Sequence, residues 1–216
     1  MESKTPSLTA KQLKSTRPNF LLKKRTAAFS RWLHNYLSMF CFLIVLFFAI
    51  TGFTLNHADW FDVTPVEKKV EGRLSVPWVN LPDTAQVKKL EIVEWFRKNY
   101  KIGGYVSDFI IQDDQCMVSF KGPGYSADAS INRQDGTFKL TEYRLGLIAI
   151  INDLHKGRDS GKSWSYLIDF SAAFLTLISI SGLAMLLFLK KKRLNGLLLA
   201  VIGGIICLLI YWLWVP

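Results

Sequence analysis

Three histidines are the residues of this sequence best suited to chemistry, and all three stand at the ends of apolar runs. His34 opens the first run, His57 closes it and His155 precedes the second. A neutral imidazole ligates haem iron and other metals through its unprotonated ring nitrogen. On one continuous helix His34 and His57 would lie about 34 Å apart at 1.5 Å per residue, so a single haem cannot take both. His57 and His155 belong to the same end instead. Two neutral imidazoles facing one another across a gap would make an axial pair for haem b. The same positions also suit polar side chains that simply sit in the headgroup zone of a bilayer.

Asp169 is the second chemical feature. It lies about 7 Å beyond Trp164 along the second apolar run, and an ionisable group at that depth is a functional candidate by default. Its carboxylate could accept the Nδ1 proton of a ligating histidine, His57 first of all, which would orient the ring and raise its basicity. It could equally pair with Lys162 or Arg158, and Arg158 could also meet a haem propionate. No Gly-x-Ser-x-Gly, His-Glu-x-x-His or phosphate-binding loop occurs. No Cys-x-x-Cys-His occurs, which excludes covalent c-type haem. Cys41 and Cys207 lie in apolar runs and leave Cys116 without an obvious partner, so no disulfide framework is implied.

The elements that must position these groups follow from the distribution of apolar residues. Half of the 216 residues are apolar, concentrated in Tyr36 to Leu55 and Trp164 to Trp214. About 20 apolar residues span a hydrocarbon core, and backbone amides in lipid must be paired within the segment. The boundaries read as a basic segment over 1–30, membrane helices over 31–57, 164–189 and 197–216, a folded loop over 58–163 and a basic loop over 190–196. The net charge of +10 is unevenly placed: Lys4, Lys11, Lys14, Arg17, Lys23, Lys24, Arg25 and Arg31 precede the first run, and Lys190 to Arg193 separate the last two. This is the positive-inside pattern rather than a nucleic-acid footprint. It predicts a bacterial inner-membrane protein with a cytoplasmic N-terminus, and with the large loop and C-terminus in the periplasm. The N-terminal stretch reads as a retained anchor, lacking a small-x-small cleavage site.

Within the loop, Asp83 reads as the cap of an amphipathic helix to about Tyr100, with Val87, Leu90, Ile92, Val93 and Phe96 as its apolar stripe. Alternation and turn residues predict strands over 105–111, 116–121, 125–132 and 137–143. Phe96, Phe109, Val118 and Phe120 are the expected core. Residues 145–155 are apolar enough for a short helix lying against the membrane. Thr51-Gly52, Ser179 and Ser181-Gly182 are small residues that permit close helix approach or clearance for a flat macrocycle.

Arg31-Trp32-Leu33-His34, then the run to Thr51-Gly52-Phe53-Thr54-Leu55-Asn56-His57, resembles the first helix of PepSY-associated transmembrane proteins. Leu154-His155-Lys156-Gly157-Arg158, followed by Trp164, Asp169 and Ser181-Gly182-Leu183, resembles their second signature. The loop between resembles a PepSY domain. The fold class expected is therefore a membrane α-helical protein of three transmembrane helices with an inserted small α+β PepSY-like domain. The resemblance implies haem b and electron transfer to a periplasmic acceptor, such as a ferric siderophore. His57 and His155 would be the iron ligands, with Asp169 and Arg158 in support. His34 would need a partner from Met39, Met185, a second copy of the chain or an additional redox subunit. The alternative is a non-catalytic accessory protein whose PepSY-like domain binds a periplasmic partner.

Overall fold

The computed structural model describes residues 10–61, 64–81, 83, 86–189 and 191–216, the side chains of residues 10–20 excepted. Lys4 and Lys190 of the two basic segments lie outside the described residues. The chain divides into two units: Met1–Val45 with Phe170–Pro216, and Leu46–Asp169.

The unit Leu46–Asp169 is built on a five-stranded antiparallel sheet. In chain order its strands are β1 (Val66–Arg73), β2 (Tyr105–Ile111), β3 (Gln115–Gly122), β4 (Tyr125–Asn132) and β5 (Thr137–Arg144). Their order in the sheet is β1-β5-β4-β3-β2. Period-2 alternation sorts the strands into two faces. Cys116, Val118 and Phe120 of β3, Ala127, Ala129 and Ile131 of β4, and Phe138 and Leu140 of β5 are buried on one face. Small alanines on the middle strand sit between larger neighbours, Val118 opposite Ala129 and Ala129 opposite Leu140. Helix α4 (Lys89–Tyr100) covers this face with Ile92, Val93 and Phe96, and Phe96 meets Phe138 edge-on at 5.1 Å between centroids. Phe96, Val118 and Phe120 are fully buried, while Phe109 packs at the margin of the core.

Helix α4 starts later than the sequence suggests. Asp83 does not cap α4: α4 begins at Lys89, and the Lys88 amide bonds the Trp78 carbonyl 3.1 Å away. A short helix α3 (Val76–Val79) supplies that carbonyl. The charged strand β1 carries no alternation that would reveal it, yet it pairs along its whole length with β5. Charged side chains suit it to the sheet edge.

After β5 comes α5 (Gly146–Lys156). The β3–β4 turn fixes where it lies. Gly124, at φ +63°, accepts the Leu145 amide on its carbonyl at 2.9 Å, and a Cβ there would meet Ile150 of α5 at 2.6 Å. Only glycine combines that backbone conformation with that close approach.

The other unit is helical. Helix α1 (Ala10–Phe40) and helix α2 (Phe42–Asn56) are separated by a break at Cys41 and bent by 58°. Helix α2 runs on into the sheet unit, ending before a 3-10 turn at Ala58–Trp60. Helices α6 (Gly161–Phe188) and α7 (Arg193–Trp214) follow. The expectation of a three-helix membrane protein with a small inserted domain is corrected here. Among the described residues only α6 and α7 are each long and apolar enough to cross a membrane, and a third span exists only if the bent α1–α2 pair is counted as one. The sheet unit is not small, since it takes more than half of the chain. The described architecture is seven α-helices and a five-stranded antiparallel sheet. Neither proline nor glycine stands at the break, so the sequence carries no sign of it. β1 and α3 add ordered structure where the sequence offered no periodic signal.

Candidate functional site

Two of the three histidines are docked on another helix by the same chemistry. In the sheet unit, His155 near the end of α5 places Nδ1 2.6 Å from Oγ1 of Thr51 on α2. The Thr51 hydroxyl carries one proton and donates it to the Phe47 carbonyl at 2.7 Å. With its proton assigned to the Phe47 carbonyl, Thr51 accepts from His155, and that assignment puts the imidazole proton on Nδ1. The ring packs edge-on to Phe48 at 5.1 Å, and a Cβ on Gly52 would stand 3.5 Å from its Cε1. Thr51 is buried to 2% exposure on a mostly apolar helix.

In the helical unit, His34 of α1 sets Nδ1 3.2 Å from the Ile178 carbonyl and 3.1 Å from Oγ of Ser181 on α6. The Ser181 hydroxyl donates to the same carbonyl at 2.8 Å. A carbonyl only accepts, so this imidazole too carries its proton on Nδ1. A Cβ on Gly182 would come within 3.2 Å of the ring, and glycine at that position gives the imidazole its room. Each site is thus a hydroxyl–glycine pair, Thr51-Gly52 or Ser181-Gly182, receiving an imidazole from another helix. For both rings no partner of Nε2 is found among the described residues. An imidazole oriented through Nδ1–H with a bare Nε2 is the arrangement that metal-ligating histidines adopt.

His57 is placed differently. It follows α2, stacks on Trp60 at 3.9 Å between centroids and lies against Phe53 at 4.7 Å. Among the described residues no hydrogen bond orients its ring, and no hydrogen bond or ring contact joins it to His155. It stands past the end of α2, about 9 Å further along the chain direction than Thr51, the residue that receives His155.

The last turn of α5 is pinned on several sides. The Thr54 hydroxyl donates to Asn152 Oδ1 at 2.7 Å, and Trp164 Nε1–H donates to the Leu154 carbonyl at 2.7 Å. Asp153, 4% exposed, accepts the Gly124 amide on Oδ2 at 2.8 Å. Its Oδ1 accepts Nε–H and Nη2–H of Arg158 at 2.8 and 2.5 Å.

The family model described as "Putative PepSY_TM-like" matches residues 28–216, nearly the whole chain. The chain belongs to the PepSY_TM-like family. It is a membrane protein carrying a PepSY domain. No curated protein and no solved structure matches it.

In this PepSY_TM-like protein the remaining site residues stand as follows. The Arg158 guanidinium is engaged by Asp153. Asp169 is exposed on α6 and makes no hydrogen bond or ion pair with any described residue. Burial pushes the Cys116 thiol up, so it stays protonated in the sheet core and offers neither nucleophile nor ligand. No cluster of three or more His, Cys, Asp or Glu suited to a bare metal ion occurs among the described residues. The sequence singled out the histidines but not Asn152 and Asp153, nor the hydrogen-bonding use of Thr51 and Ser181. One sign was available: Thr51 and Ser181 are hydroxyls in membrane-type apolar helices, each directly before a glycine.

Proposed function

We propose that this PepSY_TM-like protein holds haem b in a bacterial inner membrane and passes electrons to an extracytoplasmic acceptor, of which a ferric siderophore or another metal complex is the leading class. The observation that carries this reading is the shared state of His155 and His34. Each has Nδ1 within 3.2 Å of hydrogen-bonding groups on another helix, and Nε2 meets no partner among the described residues. Haem b, when bound, supplies a one-electron Fe(III)/Fe(II) couple. The chain's own part is to orient the ligating nitrogens, and the Thr51 and Ser181 sites do so through Nδ1. His155 is the ligand best supported. His34 is the second, and a homodimer or an additional redox subunit is one source of the opposite ligands. His57, held by stacking on Trp60, is less well prepared for the role. The test is the reduced-minus-oxidised spectrum of the full-length protein purified in detergent. A sharp low-spin haem b spectrum is expected, and a colourless protein that takes up no added haemin overturns the proposal. In that case the PepSY domain as a partner-binding module becomes the better account.

The direction of electron flow depends on topology. Lys23, Lys24, Arg25 and Arg31 on α1, and Lys191 and Lys192 before α7 with Arg193 at its start, set the basic flanks on the cytoplasmic side. The sheet unit then faces the periplasm. A cysteine at Gln134, exposed in the β4–β5 turn, should react with a membrane-impermeant maleimide in intact spheroplasts. Reaction only after lysis would place the sheet in the cytoplasm.

A further inference from the structure

We propose that Asp153 is a positioning residue for His155, the side chain through which the sheet sets where that imidazole points. The proposal rests on the reading of His155 as an iron ligand. Its structural part concerns Asp153, Gly124 and Thr51, and that part is tested without haem.

The β3–β4 turn grips α5 near both ends. The Gly124 carbonyl takes the Leu145 amide just before the helix, and the Gly124 amide donates to Asp153 near its end. The opposite side of α5 carries Asn152 and His155, which meet Thr54 and Thr51 of α2. At 3.6 residues per turn, Asp153 and His155 project about 200° apart, almost back to back. Any roll of α5 that breaks the Asp153 contact therefore moves His155 as well. A roll of about 10° displaces an imidazole tip by about 1 Å, enough to lose a 2.6 Å hydrogen bond to Thr51.

The carboxylate suits this task. One oxygen is spent on the sheet turn and the other on Arg158, which follows the Gly157 cap of the same helix. Arg158 supplies the positive charge that lets an ionised Asp153 be 4% exposed. Asp153 thus holds α5 to the turn without competing for the imidazole. Its removal leaves Thr51 and His155 intact but takes away the hold of the Gly124 amide on the last turn of the helix that aligns them.

A buried ion pair could also serve only to stabilise the fold, and the sheet contains a natural control for that role. Glu142 of β5 is likewise buried and paired with Arg144 at 2.7 Å, but it is not on α5. The experiment uses the full-length protein in nanodiscs, labelled with 15N-histidine, and reads the protonated ring nitrogen of His155 by long-range proton–nitrogen correlation before haemin is added. Haemin affinity is then measured on the same samples. The wild type and Glu142→Gln should show the Nδ1–H form. Asp153→Ala should show exchange between the two tautomers, with haemin bound about 10- to 100-fold more weakly, the range seen when groups supporting a metal ligand are removed. Asp153→Asn keeps the side-chain volume and one acceptor for Gly124, and it should fall between the two. It also carries the test if the alanine variant does not fold. If both Asp153 variants keep the Nδ1–H form and haemin affinity within about twofold of Glu142→Gln, Asp153 has no positioning role. Failure of the ligand reading looks different: His155→Ala would retain full haemin affinity, whatever the tautomer data show.

Discussion

If His155 ligates haem as proposed, His155→Ala is expected to eliminate the low-spin haem signal of the Thr51 site, because a lost iron–nitrogen bond cannot be replaced by packing. The effect should be confined to the cofactor. His155 is half-buried and makes one side-chain hydrogen bond, to Thr51, so the sheet should keep its fold. Thr51→Val sharpens the test. It preserves the shape of the Thr51 side chain but removes the acceptor for Nδ1–H, and it should weaken haemin binding about 10- to 100-fold without abolishing it. His34→Ala should remove a second, separable share of the spectrum if the Ser181 site holds a haem of its own. His57→Ala should cost least, since its ring is stacked rather than hydrogen-bonded. The readout is haem content per chain and the reduced-minus-oxidised spectrum at matched expression. Full haem content in His155→Ala would remove the main support for the proposed function.

The largest loss of stability is expected at Arg133, a residue with no part in the proposed chemistry. This guanidinium, 7% exposed, donates to four backbone carbonyls: Val79 at 3.1 Å, Leu81 at 2.6 Å, Gln112 at 2.8 Å and Asp113 at 3.0 Å. It thereby ties the segment after α3 to the β2–β3 turn, and its own amide bonds Asp114 at 2.9 Å. Alanine would leave these carbonyls without their donor beside a cavity. A cost of about 4 kcal/mol follows from the charged hydrogen bonds lost, among them the one to the buried Val79 carbonyl. Lysine restores the charge but not the planar fork, so it should recover less than half of the loss. Hydrogen exchange of the β3 and β4 amides in the full-length protein is the suitable measurement. A loss of about 4 kcal/mol corresponds to roughly a thousandfold fall in protection where exchange proceeds by opening of the whole sheet. A fall of less than tenfold for Arg133→Ala would show that water replaces the guanidinium at little cost.

Much of the sheet was legible in the sequence, because alternation is a local signal. Tyr105–Ile111 and Tyr125–Asn132 form strands as their alternation predicts, and Phe96, Val118 and Phe120 are in the core. Strand β1 was not legible: Glu67, Lys68, Lys69 and Glu71 hide a segment whose place depends on β5 rather than on its own pattern. The start of α4 was lost for a related reason, since Lys88 bonds the distant Trp78. The break at Cys41 has no proline or glycine to announce it. At the candidate site the imidazoles could be picked out, but their partners could not. Thr51 is 104 residues from His155 and Ser181 is 147 from His34, and no local rule spans such distances. Asp153 was concealed in a segment that reads as a simple apolar helix against the membrane, where a single carboxylate looks incidental.

The pairing of β1 with β5 has a consequence for how the protein is made. Strands β2 to β5 form a meander of neighbours in sequence, so each hairpin can close as soon as its second half is available. β1 is synthesised before all of them and must wait for the last, since Val66 ends opposite Arg144. During that wait its backbone is an unpaired template. Its glutamates and lysines, which disguise it as a strand, also keep other chains from pairing with it until β5 emerges. Docking β1 is then the slow, long-range step of assembly, and the hairpin meander should protect its amides first in a pulse-labelling experiment.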